Sequence, residues 1–317
     1  MEVCNLCPRK CHVDRAKGQT GVCGQTDRIR VARAALHMWE EPCISGTKGS
    51  GTVFFTGCGL KCVFCQNHTI ASGRVGKEIS VERLAEIFLE LQGQGANNIN
   101  LVTAGHFAPQ IVDALDKARG KGLKLPVVYN TGSYEEVETL RMLEGYVDVY
   151  LPDLKYMDSG LSERYSHAPD YFEKAKAAIH EMVRQAGEPE FAEEAAIAGR
   201  GIDVEAYQRR SEKGEVLIMT KGVIVRHLVL PGCVEDSKRV LAYLLKEYGS
   251  RIFISIMNQY TPLPHVASYP ELNRKVTKKE YEKVVDFALE LGIENGFIQE
   301  GETARESFIP DFDESGI

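Results

Sequence analysis

The sequence lacks any apolar run that approaches the length of a membrane-spanning helix, which argues against an integral membrane protein. Its start, Met1-Glu2-Val3-Cys4, lacks the charged and apolar regions of a secretory signal peptide. It also lacks a basic excess, because 38 Lys and Arg stand against 45 Asp and Glu, a net charge of −7. That balance argues against a dedicated nucleic-acid binder or a binder of anionic membranes. Together these absences predict a soluble, cytoplasmic protein.

Cysteine is almost missing from the last four-fifths of the chain, where only Cys233 occurs. The other eight of the nine cysteines lie within the first 65 residues, at positions 4, 7, 11, 23, 43, 58, 62 and 65. An odd number of thiols in a reducing cytosol disfavours a disulfide framework. Such clustering is not typical of scattered core cysteines, so the thiols are candidate metal ligands.

From residue 51 onward, apolar strands alternate with amphipathic helices. The composition, 44% apolar and 26% charged in 317 residues, is globular and suits one large domain. Six strand–helix units begin at residue 52, and a last short strand is expected at 296–299. Apolar strands without alternation predict an α/β fold with a parallel sheet covered on both faces. The periodicity fits either an incomplete barrel or a doubly wound sheet.

Three stretches lie outside this rhythm. Residues 1–50 form a polar, cysteine-rich leader, 51–300 the strand–helix domain, and 301–317 a C-terminal tail. Within the domain, residues 188–221 interrupt the alternation and are rich in Glu, Ala, Gly and Arg. We expect this insertion to be an elaborated surface loop, partly helical or mobile, rather than a lid over a site.

The first predicted strand runs into Cys58-x3-Cys62-x2-Cys65. Three thiolates alone do not complete a structural zinc site, which needs four ligands. They can hold three irons of a cubane cluster and leave the fourth iron open for a ligand. Loops after parallel strands lie at the face where sites in such folds are found, so the position favours a catalytic centre.

This triplet, with Phe64 directly before its last cysteine, resembles the signature of the radical S-adenosylmethionine (SAM) superfamily. The resemblance implies a partial (β/α)6 barrel and a [4Fe–4S] cluster on Cys58, Cys62 and Cys65. It implies SAM bound at the open iron, and reductive cleavage of SAM to a 5′-deoxyadenosyl radical that abstracts hydrogen. It also implies a low-potential electron donor such as flavodoxin or ferredoxin.

Further stretches are similar to the activating enzymes of glycyl radical enzymes, such as pyruvate formate-lyase. They are Asn130-Thr131-Gly132, Pro152-Asp153-Leu154-Lys155 and the strand at 225–232. The resemblance implies that Arg226 pairs with the SAM carboxylate, and that Asn130 lies at the cofactor site. Asp153 would bind a ribose hydroxyl or a cation, or simply cap the following turn.

The second strand departs from that family. Where the family has a Gly-Gly-Glu motif, this chain reads Thr103-Ala104-Gly105-His106. Backbone carbonyls at Ala104 and Gly105 can still hold the SAM amino group, but the acidic partner is missing. His106 would be a satisfied loop histidine or an imidazole at the mouth of the site. Cys233 would be a small buried residue or a thiol that takes part in the chemistry.

The leader carries a second set of cysteines, Cys4, Cys7, Cys11 and Cys23. Four thiolates complete either a tetrahedral zinc site or a second [4Fe–4S] cluster, and the spacing does not choose between them. A metal would explain how a polar leader folds, because binding energy replaces a missing core. The leader is similar to that of an uncharacterised branch of activating-enzyme homologues.

These observations predict a radical SAM enzyme acting on a peptide, a protein or a small molecule, with activation of a glycyl radical enzyme as one form. The competing interpretation is a non-enzymatic iron–sulfur electron carrier or a zinc-stabilised interaction protein. A carrier would not need an open coordination site or six barrel units.

Overall fold

The computed structural model describes residues 3–197, 201–299 and 310–317. Its ten described strands are β1 Ile29–His37, β2 Ser50–Phe55, β3 Lys77–Ile79, β4 Ile99–Val102, β5 Val127–Thr131, β6 Val149–Pro152, β7 Glu190–Glu193, β8 Leu217–Leu228, β9 Phe253–Met257 and β10 Gly296–Ile298. Its described α-helices are α1 Pro42–Ser45, α2 His68–Ala71, α3 Val81–Gly93, α4 Ala108–Gly120, α5 Val137–Met142, α6 Ser159–Ser166, α7 Tyr171–Ala186, α8 Val204–Ser211, α9 Val234–Tyr248 and α10 Lys278–Glu290.

The fold is α/β, with a mostly parallel sheet in the order β10-β9-β8-β6-β5-β4-β2-β1-β3. In this spatial order, every pair of adjacent strands between β10 and β2 is parallel. The predicted strand–helix units are present. The sequence features that end and begin helices act as expected. Ser80 Oγ accepts a 3.1 Å hydrogen bond from the Arg83 amide at the start of α3, and Thr277 and Glu280 form a capping box at α10.

Strand β1 was not predicted. It runs antiparallel to β2 and extends the sheet beyond the parallel strands. Its half-buried positions, including Arg30 and Arg33, hide the apolar pattern that marks a buried strand. The described part of the predicted tail, 310–317, lies along β1, where the Ala34 amide donates to Ser315 O at 3.0 Å. Residues 301–309 of that tail lie outside the described residues.

The amino-terminal end of the barrel is filled with side chains. Cys43 and Ile44 of α1 pack there against Val128, Leu151 and other inward-facing strand residues. The insertion packs at the same end, because β7 pairs antiparallel with the first residues of β8. Its described part is ordered strand and helix at the end opposite the carboxyl ends of the strands, which favours the expected elaborated loop over a lid. Residues 198–200 lie outside the described part.

None of the helices in the described part of the chain combines the length and apolar character that a membrane span requires. The division into a 1–50 leader, a 51–300 domain and a 301–317 tail stays a prediction. The register of β1 with β2, in which Val31 lies opposite Phe55, does place part of the predicted leader in the barrel sheet.

Candidate functional site

A cavity of about 270 Å³ opens at the carboxyl ends of the barrel strands. This end is where strands of a parallel α/β barrel present their loops. The three triplet cysteines, Cys58, Cys62 and Cys65, all line the cavity. We call residues 57–66, which carry them, the cluster loop. The sequence therefore predicted correctly that the triplet lies at the mouth of the barrel.

The cluster loop begins at a position that only glycine accepts comfortably. Gly57 has φ +90°, and a Cβ there would lie 2.6 Å from the carbonyl oxygen of Cys23 in the leader. Gly59 lies against the leader as well, since its Cβ would be 3.4 Å from Sγ of Cys7. The leader and the cluster loop therefore pack against each other at these two glycines.

The cluster-loop thiols are suited to bind a metal rather than to ionise alone. Burial raises the pKa of Cys62 to about 11 and that of Cys65 to about 12. A bound cation removes that penalty, because a coordinating thiol is deprotonated outright. In residues 3–197, 201–299 and 310–317, no three His, Cys, Asp or Glu side chains are grouped to hold a single ion. A cubane cluster spreads its thiolates over separate irons, so three thiols around one cavity fit a cluster.

A buried charged network lies in the barrel beyond the cluster loop. Arg226 on β8 donates to Asp153 Oδ1 at 2.9 Å, to Glu40 Oε2 at 3.1 Å and to Asn130 Oδ1 at 2.6 Å. Lys155 Nζ lies 2.7 Å from Asp153 Oδ2. All five of these side chains line the cavity. The structure thus brings together Arg226, Asn130 and Asp153, which the sequence had linked only through the resemblance.

The two carboxyl groups of this network differ in protonation tendency. Burial would raise the pKa of Asp153, but Arg226 and Lys155 outweigh it and lower that pKa below its usual value. For Glu40, burial outweighs the attraction of Arg226, so its pKa is raised. Asp153 is therefore the anion that fixes Arg226 and Lys155, while Glu40 binds the guanidinium from the other side.

Glu40 was not predicted as a site residue. It lies between β1 and α1, where the chain turns into the barrel, and its Oε1 accepts from Asn100 at 3.1 Å and from Asn130 at 3.2 Å. The sequence signal was Glu40-Glu41-Pro42, two acids before a helix-starting proline inside an otherwise polar segment. Only the antiparallel course of β1 shows that these acids enter the barrel.

A second unpredicted acid, Glu135, lies next to Gly105. A Cβ at Gly105 would lie 2.5 Å from Glu135 Oε2 and 2.7 Å from the Tyr129 hydroxyl, so the glycine leaves room for the carboxyl group. Thr131 Oγ donates to Glu135 Oε1 at 2.6 Å. Burial raises the pKa of Glu135 to about 7, although the hydrogen bonds from Thr131 and Tyr129 oppose that rise. Gly105 and Glu135 both line the cavity.

The other residues of the Thr103-Ala104-Gly105-His106 motif, which follows β4, contribute less to the cavity. Ala104 is fully buried and belongs to the main hydrophobic core. His106 lines the cavity, but its Nε2 lies 2.8 Å from the carbonyl oxygen of Thr56. Burial lowers the pKa of His106 to about 3, so the ring is neutral and donates to that carbonyl. Of the two roles that the sequence predicts for His106, this environment favours a loop histidine whose hydrogen bond is made within the protein.

Cys233 has a structural environment. It precedes α9, and its thiol donates to the carbonyl oxygen of Pro231 over 3.6 Å. Burial raises its pKa to about 12. Cys233 does not belong to the described lining of the cavity, which favours its interpretation as a small half-buried residue.

The leader covers one side of the cavity. Cys7 and Cys23 line it, and the negative charge of neighbouring leader thiolates contributes to raising the pKa of both, after burial. The four leader cysteines thus lie within electrostatic range of one another. Arg9 fastens the leader, since it donates to Gly59 O at 2.8 Å and to Ser166 O at 2.9 Å. Arg15, itself buried, donates to the carbonyl oxygen of His106.

Comparison with known proteins finds a family match for one part of the chain. Residues 52–189 match the family model of the radical SAM superfamily. An uncharacterized protein of Methanocaldococcus jannaschii is 27% identical over 293 residues, covering 90% of this chain and 74% of that protein. The pyruvate formate-lyase-activating enzyme of Clostridium pasteurianum is 29% identical over 114 residues, covering 33% of this chain and 45% of the enzyme.

Among solved structures, Streptococcus suis SuiB bound to precursor peptide SuiA aligns with a TM-score of 0.47 and 13% identity, over 78% of this chain and 47% of that one. The aligned regions therefore cover less than half the length of both SuiB and the clostridial enzyme. The matched region begins in β2 and contains the whole cluster loop, with its C-x3-C-x2-C spacing. Residues 52–189 thus match the radical SAM superfamily, and the chain is weakly similar to pyruvate formate-lyase-activating enzymes.

Proposed function

We propose that this protein is an enzyme that reductively cleaves SAM to a 5′-deoxyadenosyl radical and abstracts hydrogen from a peptide, protein or small-molecule substrate. The observation that carries the proposal is that Cys58, Cys62 and Cys65 line one cavity together with a buried set of charged side chains. Three thiols supply three ligands of a [4Fe–4S] cluster and leave one iron open. When bound, the cluster and SAM supply the one-electron chemistry.

The chain itself binds and orients the cofactor. Arg226 and Lys155, held by Asp153, present buried cationic groups to which a carboxylate can bind. Glu135, exposed to the cavity beside Gly105, is the acid to which an ammonium group can bind. Glu135 would take the place of the acidic residue that is missing from the motif after β4. Asn130 and Gly105 would contribute the remaining polar contacts, whereas Ala104 lies in the core and outside the lining of the cavity.

The leader would hold the second metal centre, through Cys4, Cys7, Cys11 and Cys23. Its metal would be zinc or a second [4Fe–4S] cluster, and the lack of a grouping for a single ion among the described side chains favours the cluster. In either case it would fix a segment whose described regular structure before β1 is one short 3-10 helix, Arg15–Lys17. A low-potential one-electron donor such as flavodoxin or ferredoxin would supply the electron, and the cytoplasm is the compartment that suits this chemistry.

Activation of a glycyl radical enzyme is the narrower form of the proposal. Its support is the similarity to the clostridial activating enzyme over 114 residues. The leader and β1, which lie outside the matched family region, favour a different substrate, a peptide or a small molecule.

The deciding experiment uses the full chain, reconstituted anaerobically with iron and sulfide, reduced and mixed with SAM. We expect release of 5′-deoxyadenosine, measured by liquid chromatography with mass detection. A protein that keeps its cluster and takes up electrons, yet releases no 5′-deoxyadenosine, would instead be an iron–sulfur carrier. A protein that binds zinc and no iron would be the zinc-stabilised interaction module.

A further inference from the structure

A buried hydroxyl group contacts one of the cluster-loop thiols. Ser166, the last residue of α6, directs its Oγ to Sγ of Cys62 at 3.0 Å. On its other side, the hydroxyl of Tyr156 lies 2.9 Å from Ser166 Oγ. Ser166 is fully buried and Tyr156 is 1% exposed, so water does not compete for these contacts.

The direction of these hydrogen bonds follows from what each group can offer. A metal-bound thiolate has no proton, so Cys62 can only accept and Ser166 must donate to it. Burial keeps the pKa of the Tyr156 hydroxyl well above its usual value, so it stays protonated. Tyr156 therefore donates to Ser166, and Ser166 donates to Cys62.

The end of α6 is fixed to the cluster loop by the backbone as well. The Val63 amide donates to the carbonyl oxygen of Tyr165 at 2.8 Å. Arg9 bridges the two segments, because it donates both to Gly59 O and to Ser166 O. Ser166 therefore keeps a defined position relative to Cys62, from which it is separated by a single hydrogen bond.

We propose that Ser166, oriented by Tyr156, is a positioning residue that raises the reduction potential of the cluster on Cys58, Cys62 and Cys65. The inference rests on the proposed function, since it requires that cluster. Reduction of the cluster transfers one electron to it from an external reductant. No covalent bond forms or breaks in this step, and no proton is transferred. The reduced form carries one more negative charge, so a donor to a ligand sulfur stabilises it more than the oxidised form.

The test is a potentiometric titration of the reconstituted full chain. Electron paramagnetic resonance monitors the cluster signal, which is identified as the one that disappears when Cys58, Cys62 and Cys65 are replaced. We expect Ser166→Ala to lower the reduced-to-oxidised ratio at a fixed solution potential roughly tenfold, about 59 mV for one electron. Ser166→Thr keeps the hydroxyl and should restore the wild-type potential. Tyr156→Phe should shift the potential in the same direction by less.

Ser162→Ala is the matched control. Ser162 is a buried serine of the same helix, 1% exposed, whose Oγ donates to Ser159 O at 3.1 Å. Equal reduction potentials for Ser166→Ala and Ser162→Ala, at equal iron content, would overturn this inference and leave the proposed function intact. If Ser166→Ala does not fold, an unchanged potential in Tyr156→Phe overturns it instead. A wild-type protein without the cluster signal overturns the proposed function, and this inference with it.

Discussion

The two groups of cysteines line one cavity but are supported by different kinds of structure. The cluster loop follows β2, whose six residues are all buried in the centre of the sheet. The leader has little apolar burial before Cys23, apart from Leu6, and is fastened by side chains such as Arg9 and Arg15. The hydrophobic core positions the first group, whereas polar contacts to the barrel position the second.

This difference shows where a metal adds stability. A loop at the end of a core strand has a defined position without a metal, so a cluster there contributes chemistry more than folding energy. A leader with one short helix before β1 depends on cross-links, and a metal would be the strongest of them. Loss of the cluster-loop thiols should therefore affect the chemistry most, and loss of the leader thiols should affect stability most.

Replacing Cys58, Cys62 and Cys65 together by alanine should abolish SAM cleavage and remove about four irons per chain. Because the strand and not the metal positions this loop, the far-UV circular dichroism spectrum should stay unchanged. Iron analysis and 5′-deoxyadenosine release measure the effect. Cleavage that persists in this variant would refute the cluster assignment.

If the leader binds a metal as proposed, Cys11→Ala removes one of its ligands and should lower the free energy of unfolding well beyond the ~0.5 kcal/mol of an ordinary surface change. SAM cleavage should persist, since the barrel keeps its own cluster. Thr20→Ala, at an exposed leader position, is the control for stability. Denaturant unfolding measures both.

Metal analysis of the wild-type protein identifies the leader metal. About eight irons per chain indicate two cubanes, and about four irons with one zinc indicate a zinc anchor. About four irons without zinc, in a fully loaded protein with an intact leader, would mean that the leader thiols are free.

Arg9→Ala breaks the link between the two groups without removing a thiol. Because it deletes donors to Gly59 O and Ser166 O, we expect a loss of about 1–3 kcal/mol and faster proteolysis within the leader. Arg28→Ala is the control, since Arg28 is 76% exposed and pairs with Glu78 at 3.5 Å. Equal protease sensitivity of the two variants would show that Arg9 does not fasten the leader.

The smallest effect should be a pH dependence of SAM binding. Glu135 is neutral below its pKa of about 7 and negatively charged above it, so affinity for the SAM ammonium should rise as pH increases through 7. Glu135→Gln should remove that rise, while the exposed Glu138→Gln should keep it. Calorimetric titration with the cluster intact gives the affinities. A rise that survives in Glu135→Gln would mean that another group titrates.

Local sequence signals predicted most of the barrel. The cap at Ser80, the capping box at Thr277 and the glycine after α7 act within one or two turns, so they can be read from a short segment. The C-x3-C-x2-C spacing is local too, and it predicted the placement of the cluster loop.

Contacts between distant segments were not predictable in this way. Glu135 reaches Gly105 across neighbouring strands, whereas no acid stands beside Gly105 in the chain. Glu40 meets Arg226, 186 positions away, because β1 pairs with β2 and turns the chain inward. Each depends on strand order and register, which residue patterns alone did not reveal here.

The filled amino-terminal end of the barrel bears on kinetics. With Cys43, Ile44 and Phe191 packed below the charged network, ligands reach the cavity from the carboxyl end, past the leader and the cluster loop. A cofactor seated on Arg226 would lie deeper than a substrate at the mouth. Binding would then be ordered, with the deeper ligand entering first and its products leaving last.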